Sequence, residues 1–170
     1  QNPVQKEGLG FPILRCVTLI SLYTGMLFDL ACGAYCGKET GETALMRRLL
    51  DALEPGDVLV ADSYLCTYFL IASCRQRNVH IVMKNHHKRD NEPADAIRLR
   101  KGERLVTWTR PDRPSWMSEE EYEHHPETLQ IRLVDVSVQR KGFRPTGFTV
   151  ATTMTDDQKY PGAWIRSVYE

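Results

Sequence analysis

The stretch Gly56-Asp57-Val58-Leu59-Val60-Ala61-Asp62-Ser63-Tyr64 decides how the rest of the chain is read. Val58 to Ala61 is a short apolar run, preceded by Glu54-Pro55-Gly56 and followed by a carboxylate, which is the pattern of a buried strand. From Tyr64 to Arg77 the apolar side chains Tyr64, Tyr68, Ile71 and Ala72 fall on one helical face, and Val79 to Lys84 is apolar again. Strand, helix, strand in that order predicts a parallel βαβ unit within an α/β fold. Asp62 then stands at the carboxyl end of its strand, where open α/β sheets place their ligands. Two readings of Asp62 stay open here: a functional carboxylate, or a cap shared with Ser63 on the next helix.

Upstream, Thr40 to Leu53 reads as a helix with Thr40 as its cap, Glu42 in the first turn, and Leu45, Leu49, Ala52 and Leu53 on one face. Before it, Phe11–Leu22 and Met26–Tyr35 read as the strands of a hairpin turning at Tyr23-Thr24-Gly25. Their apolar runs are long enough to predict cover on both faces. Residues 1–10 read as a loop.

Downstream, residues 85–145 change character. Charges cluster, prolines recur, and strand-like pieces occur at Arg104–Thr109 and Leu129–Val138 around a capped acidic helix at Ser118-Glu119-Glu120-Glu121. Gly147 to Met154 returns to strand character, and Ala163–Glu170 begins a helix. The expected organisation is a core over 1–84, a strand-rich insertion over 85–145, and a return to the core over 146–170.

Composition narrows the function classes. The chain has 170 residues, 42% hydrophobic and 26% charged, with 22 Lys+Arg against 22 Asp+Glu. That is ordinary for a soluble globular protein, and only local patches can argue for a polyanionic partner. Residues 84–113 hold nine Lys/Arg against five Asp/Glu, a net +4, whereas 114–128 holds five Glu and no Lys or Arg. Lys84, His86, Lys88, Arg89, Arg98, Arg100, Lys101 and Arg104 beside a carboxylate suit a phosphodiester substrate; the alternative is a solvated charged surface. Trp108 and Trp116 could stack on bases, but a small local core is the preferred reading. His86-His87 and His124-His125 are set aside as metal ligands, because adjacent side chains on a strand point to opposite faces. Cys16, Cys32, Cys36, Cys66 and Cys74 are odd in number and match no zinc spacing, so they read as free thiols in a reducing cytoplasm. No charged-then-apolar leader and no apolar run near ~20 residues occurs. Neither a Gly-rich phosphate loop nor a Gly-x-Ser-x-Gly elbow is present.

Several runs, taken in order, resemble the DDE transposases of the insertion-sequence-four group. They are Lys6-Glu7-Gly8-Leu9-Gly10-Phe11-Pro12-Ile13-Leu14-Arg15; Gly41-Glu42 with its helix; Gly56 to Tyr64; Val106-Thr107-Trp108 with Arg110-Pro111 and Pro114-Ser115-Trp116-Met117; and Tyr160-Pro161 to Val168-Tyr169-Glu170. The resemblance makes the core over 1–84 a partial catalytic one and implies an RNase H-like mixed sheet with flanking helices and a strand-rich insertion. It implies that Asp62 is the second of three acidic residues and that Tyr169 opens a Tyr-Arg-Glu-Lys signature on the final helix. The first aspartate is then expected before Gln1 and the glutamate after Glu170, so that the chain reads as a fragment and is expected to be inactive alone. Ser63 stands where this group often has arginine, which removes one phosphate contact and leaves the metal ligand.

In that family two Mg²⁺ (or Mn²⁺) ions about 3.5–4 Å apart promote cleavage and strand transfer. The implied partners are double-stranded DNA, at the transposon ends and the target, and a second copy in the active complex. No membrane is implied, and the expected location is the bacterial cytoplasm. The alternatives are another RNase H-like nuclease, or a catalytically dead transposase remnant that keeps only DNA or protein contacts.

Overall fold

The computed structural model describes residues 13–138, 142 and 146–169. The loop read at 1–10, the Lys6–Pro12 part of the resembling run, and Glu170 lie outside the described residues. The fold is mixed α/β. The chain divides into two compact units, Gln1–Glu54 and Pro55–Glu170.

In the first unit, β1 (Leu14–Ile20) and β2 (Leu27–Ala34) form a two-stranded antiparallel sheet. The turn comes at the expected place, and Gly25 takes the left-handed conformation, φ +71°, that favours glycine. The expectation of strands covered on both faces is not met. Leu19 and Ala31 are buried, whereas Leu14, Ile20, Leu27, Phe28 and Leu30 are exposed. Helix α1 (Glu42–Arg48) follows, then a short 3₁₀ turn at Leu50–Ala52. Leu45, Met46, Leu49 and Leu50 are its buried side chains. Thr40 does not cap α1. Gly41 occupies the cap position, and the Thr40 hydroxyl donates instead to the Gly37 carbonyl at 3.1 Å.

The second unit is built on a six-stranded sheet. Its strands are β3 (Val58–Ala61), β4 (His80–Lys84), β5 (Ile97–Arg100), β6 (Glu103–Thr109), β7 (Thr128–Val138) and β8 (Thr146–Thr152), in the spatial order β3-β4-β8-β7-β6-β5. β3 and β4 are parallel, as the βαβ pattern predicts, and the other pairings are antiparallel. The strands of 85–145 therefore continue the sheet that β3 and β4 begin. The sequence reading did not foresee β5. It is an edge strand in which arginines alternate with Ile97 and Leu99, the charged pattern that protects an unpaired edge.

Helix α2 (Tyr68–Gln76) joins β3 to β4, α3 (Glu119–His124) lies between β6 and β7, and α4 (Gly162–Tyr169) closes the chain. α3 has the capping box read from the sequence. Ser118 Oγ accepts the Glu121 N–H at 3.1 Å, and the Glu121 carboxylate accepts the Ser118 N–H at 3.0 Å. Because side chains alternate along a strand, the sheet has two buried faces. Val82, Val134, Val136 and Val150 pack with Ile165 of α4 and Met154. Ile81, Met83, Leu133 and Ala151 face the other way and are also fully buried, with α2 packed against β4. Trp108 and Trp116 belong to packing. Trp108 is buried, and Trp116 meets Phe69 edge-on at 6.2 Å, next to Tyr122 and His125.

A buried ion cluster fixes α4 on its face. The Glu103 carboxylate pairs with Arg132, which is fully buried, and with Arg166 of α4 at 3.0 Å. Arg166 also donates to the Asp135 backbone carbonyl at 2.9 Å. The α4 backbone comes so close at Gly162 that a Cβ there would lie 1.8 Å from Glu103 Oε1. The carboxylate is held by two guanidinium groups and cannot swing aside without breaking them.

Gly162→Ala is therefore expected to destabilise the protein. Alanine gains up to about 1 kcal/mol of helix propensity over glycine. Disrupting a buried pair costs about 3–5 kcal/mol, so the clash wins by about 2–4 kcal/mol. Urea unfolding measures this, and Glu103→Gln should lower the midpoint by a similar amount. An unchanged midpoint in both variants would contradict the clamp.

Candidate functional site

Asp62 directly follows β3 and is exposed. Its Oδ1 accepts the backbone N–H groups of Tyr64 at 2.9 Å and Leu65 at 3.3 Å. The capping reading is thus realised, but on the turn Ser63–Leu65 and not on a helix. α2 begins only at Tyr68, with Thr67 at its N-cap, and Tyr64, expected in the core, is 63% exposed. Two amide donors orient the carboxylate and leave it lone pairs for a further partner.

Sheet register brings other groups to the same level. Ala61 pairs with Met83, so Asp62 is level with Lys84 at the end of β4. That row continues through Val150, Val134, Glu103 and Arg100. The C-terminal end of α4 comes to the Asp62 end of it. The Tyr169 phenol lies beside the Lys84 backbone, and its ring lies 5.5 Å from that of Phe148. Lys84 Nζ lies 5.4 Å from the Phe148 ring centre. Burial, and then the negative charge of Asp62, hold the Tyr169 phenol above its ordinary range. Residues from β3, β4, β8 and α4, far apart in sequence, thus meet at one end of the sheet. Phe148 is a member that the sequence reading did not single out; only its strand was legible.

The basic residues separate into two groups. Lys84, level with Asp62, and Lys88, in the loop that follows β4, are exposed. His86 is held less basic than an ordinary histidine. Partial desolvation, then the charges of His87, Lys88 and Arg89, lower its pKa, and its Nδ1 accepts the Lys88 N–H at 3.2 Å. The His86 and His87 rings stack at 4.3 Å, not on opposite faces as expected, because they lie in a loop and not on a strand. Arg89 is drawn inward, its guanidinium 3.7 Å from the Trp108 ring centre.

On the far edge, Arg98, Arg100 and Lys101 surround the β5–β6 turn. Arg98 and Lys101 are exposed, and Arg100 pairs with Asp157 at 2.8 Å. A depression of about 380 Å³ beside them is also lined by Glu92, Glu103 and Asp135, so it is not a purely cationic cradle. Arg104 is 3% exposed and grips Asp135 through both terminal nitrogens, at 3.0 and 3.2 Å. It therefore serves the interior and does not face a phosphate.

A divalent ion of the Mg²⁺ type takes hard oxygen ligands, and Asp62 fits one such position. Among the described residues no group of three His, Cys, Asp or Glu side chains could hold a metal ion. Asp62 is accordingly one ligand and not a site by itself. Among the described residues no helix is long and apolar enough to cross a membrane. Compared with protein-family models the sequence gives no match, and compared with curated proteins it gives none.

The juxtaposition of α4 and Asp62 is open to direct measurement. In protein labelled at tyrosine ¹³Cζ, Tyr169 is expected to titrate above the usual phenol range. Because the folded pKa is raised, the associated stability is present below the unfolded phenol pKa and is lost as pH rises through the folded value. Asp62→Asn should bring the midpoint down. A midpoint that ignores this substitution would separate the two residues.

Proposed function

We propose that the chain is part of the catalytic domain of a DDE transposase with an RNase H-like core, acting on double-stranded DNA in the cytoplasm. The observation that carries this reading is the meeting of Asp62 and Tyr169. The family resemblance gives one the role of second aspartate and the other the opening of the final signature, and they lie at one end of one sheet. Neither composition nor local pattern requires that convergence.

Asp62 is the metal ligand in this reading, oriented by the amides of Tyr64 and Leu65. Bound Mg²⁺ or Mn²⁺ supplies the Lewis acidity for phosphodiester cleavage and strand transfer, with the other carboxylates coming from the remainder of the family pattern. The chain's own contribution is positional. Lys84 beside Asp62, Lys88 in the loop after β4, and Arg98 and Lys101 at the far edge of the sheet offer cations to the phosphate backbone. Five strand spacings of about 4.8 Å put β5 about 24 Å from β3. The active complex is proposed to contain two copies on paired transposon ends.

In the intact parent, Asp62→Ala is expected to reduce Mg²⁺-dependent cleavage of end-sequence DNA by more than about 100-fold, beyond the usual loss for an outer-shell partner of a metal. Affinity for the same DNA should stay within about twofold, since phosphate contacts set it. The 170-residue chain alone should not cleave. Full activity of the Asp62→Ala parent would remove Asp62 from the site.

A further inference from the structure

We propose that Cys16 and Cys32 form a reversible dithiol–disulfide site on the β1–β2 hairpin, oxidised by exchange with a low-molecular-weight disulfide. The two residues are direct partners in the antiparallel register. Residues directly opposite one another in such a ladder have Cα atoms about 4.5–5.5 Å apart, inside the range a disulfide spans. Their sulfurs already lie 3.0 Å apart, in hydrogen-bond contact, and both side chains are exposed. Closing the bond therefore needs no rearrangement of the backbone, and the oxidant has access.

The other cysteines set the contrast. Cys66 and Cys74 are buried, and burial pushes their thiols up to about 11 and about 12, which keeps them protonated and inert. Cys36 is exposed but lies beyond the end of β2, with no partner in the ladder.

The exchange is balanced in two steps. One cysteine thiolate attacks a sulfur of the small disulfide and expels one thiolate, giving a mixed disulfide. The second cysteine thiolate then attacks the protein sulfur of that bond, closing Cys16–Cys32 and releasing the second small thiolate. The two cysteine protons pass to the released thiolates, so the small disulfide is reduced to two thiols while the protein is oxidised by two electrons. The hydrogen bond with Cys16 holds the Cys32 thiol above its ordinary value. Thiolate is correspondingly scarce at neutral pH, and the exchange rate should climb as pH rises toward and past the usual thiol range.

The test uses the reduced chain with oxidised glutathione at about pH 8, followed by alkylation, intact mass and peptide mapping. The expected result is a mass lower by about 2 Da, free thiols falling from five to three, and a linked peptide joining Cys16 to Cys32. Dithiothreitol should restore the starting mass. Cys36→Ser should leave the linkage intact, and Cys16→Ser in the Cys36→Ser background should stop at a single glutathione adduct on Cys32. Glutathione adducts on both Cys16 and Cys32 in the unsubstituted chain, or a linkage through Cys36, would overturn the proposal. Far-UV circular dichroism of each variant distinguishes loss of the hairpin from loss of the bond.

Discussion

Glu103 sits buried between two arginines, Arg132 from the neighbouring strand and Arg166 from the last helix, and the second unit depends on that arrangement. A carboxylate away from water is costly unless it is paired and hydrogen-bonded, so the cluster tolerates little displacement of either element. It sets where α4 lies along β6 and β7, and Gly162 permits the close approach. A second pair on the other face, Arg104 with Asp135, anchors the same strands, and Thr149 donates its hydroxyl to Asp135 at 2.9 Å. With the middle of α4 fixed by Arg166 in the ion cluster and by Ile165 in the apolar layer, its last turn delivers Tyr169 to the Asp62 end of the sheet. A substitution at Glu103, four strands from β3 in the sheet, would thereby loosen the helix that carries Tyr169.

This arrangement also explains how a chain with equal numbers of acidic and basic residues presents cations selectively. The sequence counts nine Lys/Arg between 84 and 113. Arg89, Arg104, Arg110 and Arg113 are turned to internal work: stacking on Trp108, pairing with Asp135, and donating to carbonyls of Tyr122, His125 and Met117. Lys84, Lys88, Arg98 and Lys101 face outward. Arginine predominates where a planar, multi-donor group meets carbonyls or a carboxylate.

Local pattern made the skeleton of the second unit legible. The apolar run before Asp62, the helix after it and the apolar run at 79–84 are enough to give the parallel β3–β4 pair. Ser118 with Glu121 is enough to give α3. The parts that were not legible depend on long-range partners. Arg104 looks like any other member of a basic stretch until β7 brings Asp135 against it. The alternative of Asp62 as a cap on the next helix stayed open because the Ser63–Leu65 turn and the delay of α2 to Tyr68 leave no local signature. β5 carries alternating charge as an edge strand does, which reads as loop when no partner is known. The hairpin failed differently: its apolar runs suggested cover on both faces, and the strands formed without it.

The reading as a transposase rests on Asp62 and Tyr169 being two points of one acidic site, and the coding sequence flanking this chain tests that most directly. Sequencing the source gene on both sides should reveal, upstream, a strand-like segment ending in an aspartate. Downstream, it should reveal a continuation of α4 that carries the arginine, glutamate and lysine of the signature. A reading frame that continues past Glu170 without the arginine, glutamate and lysine of the signature on that helix, or that has no aspartate-bearing strand upstream, would contradict the account.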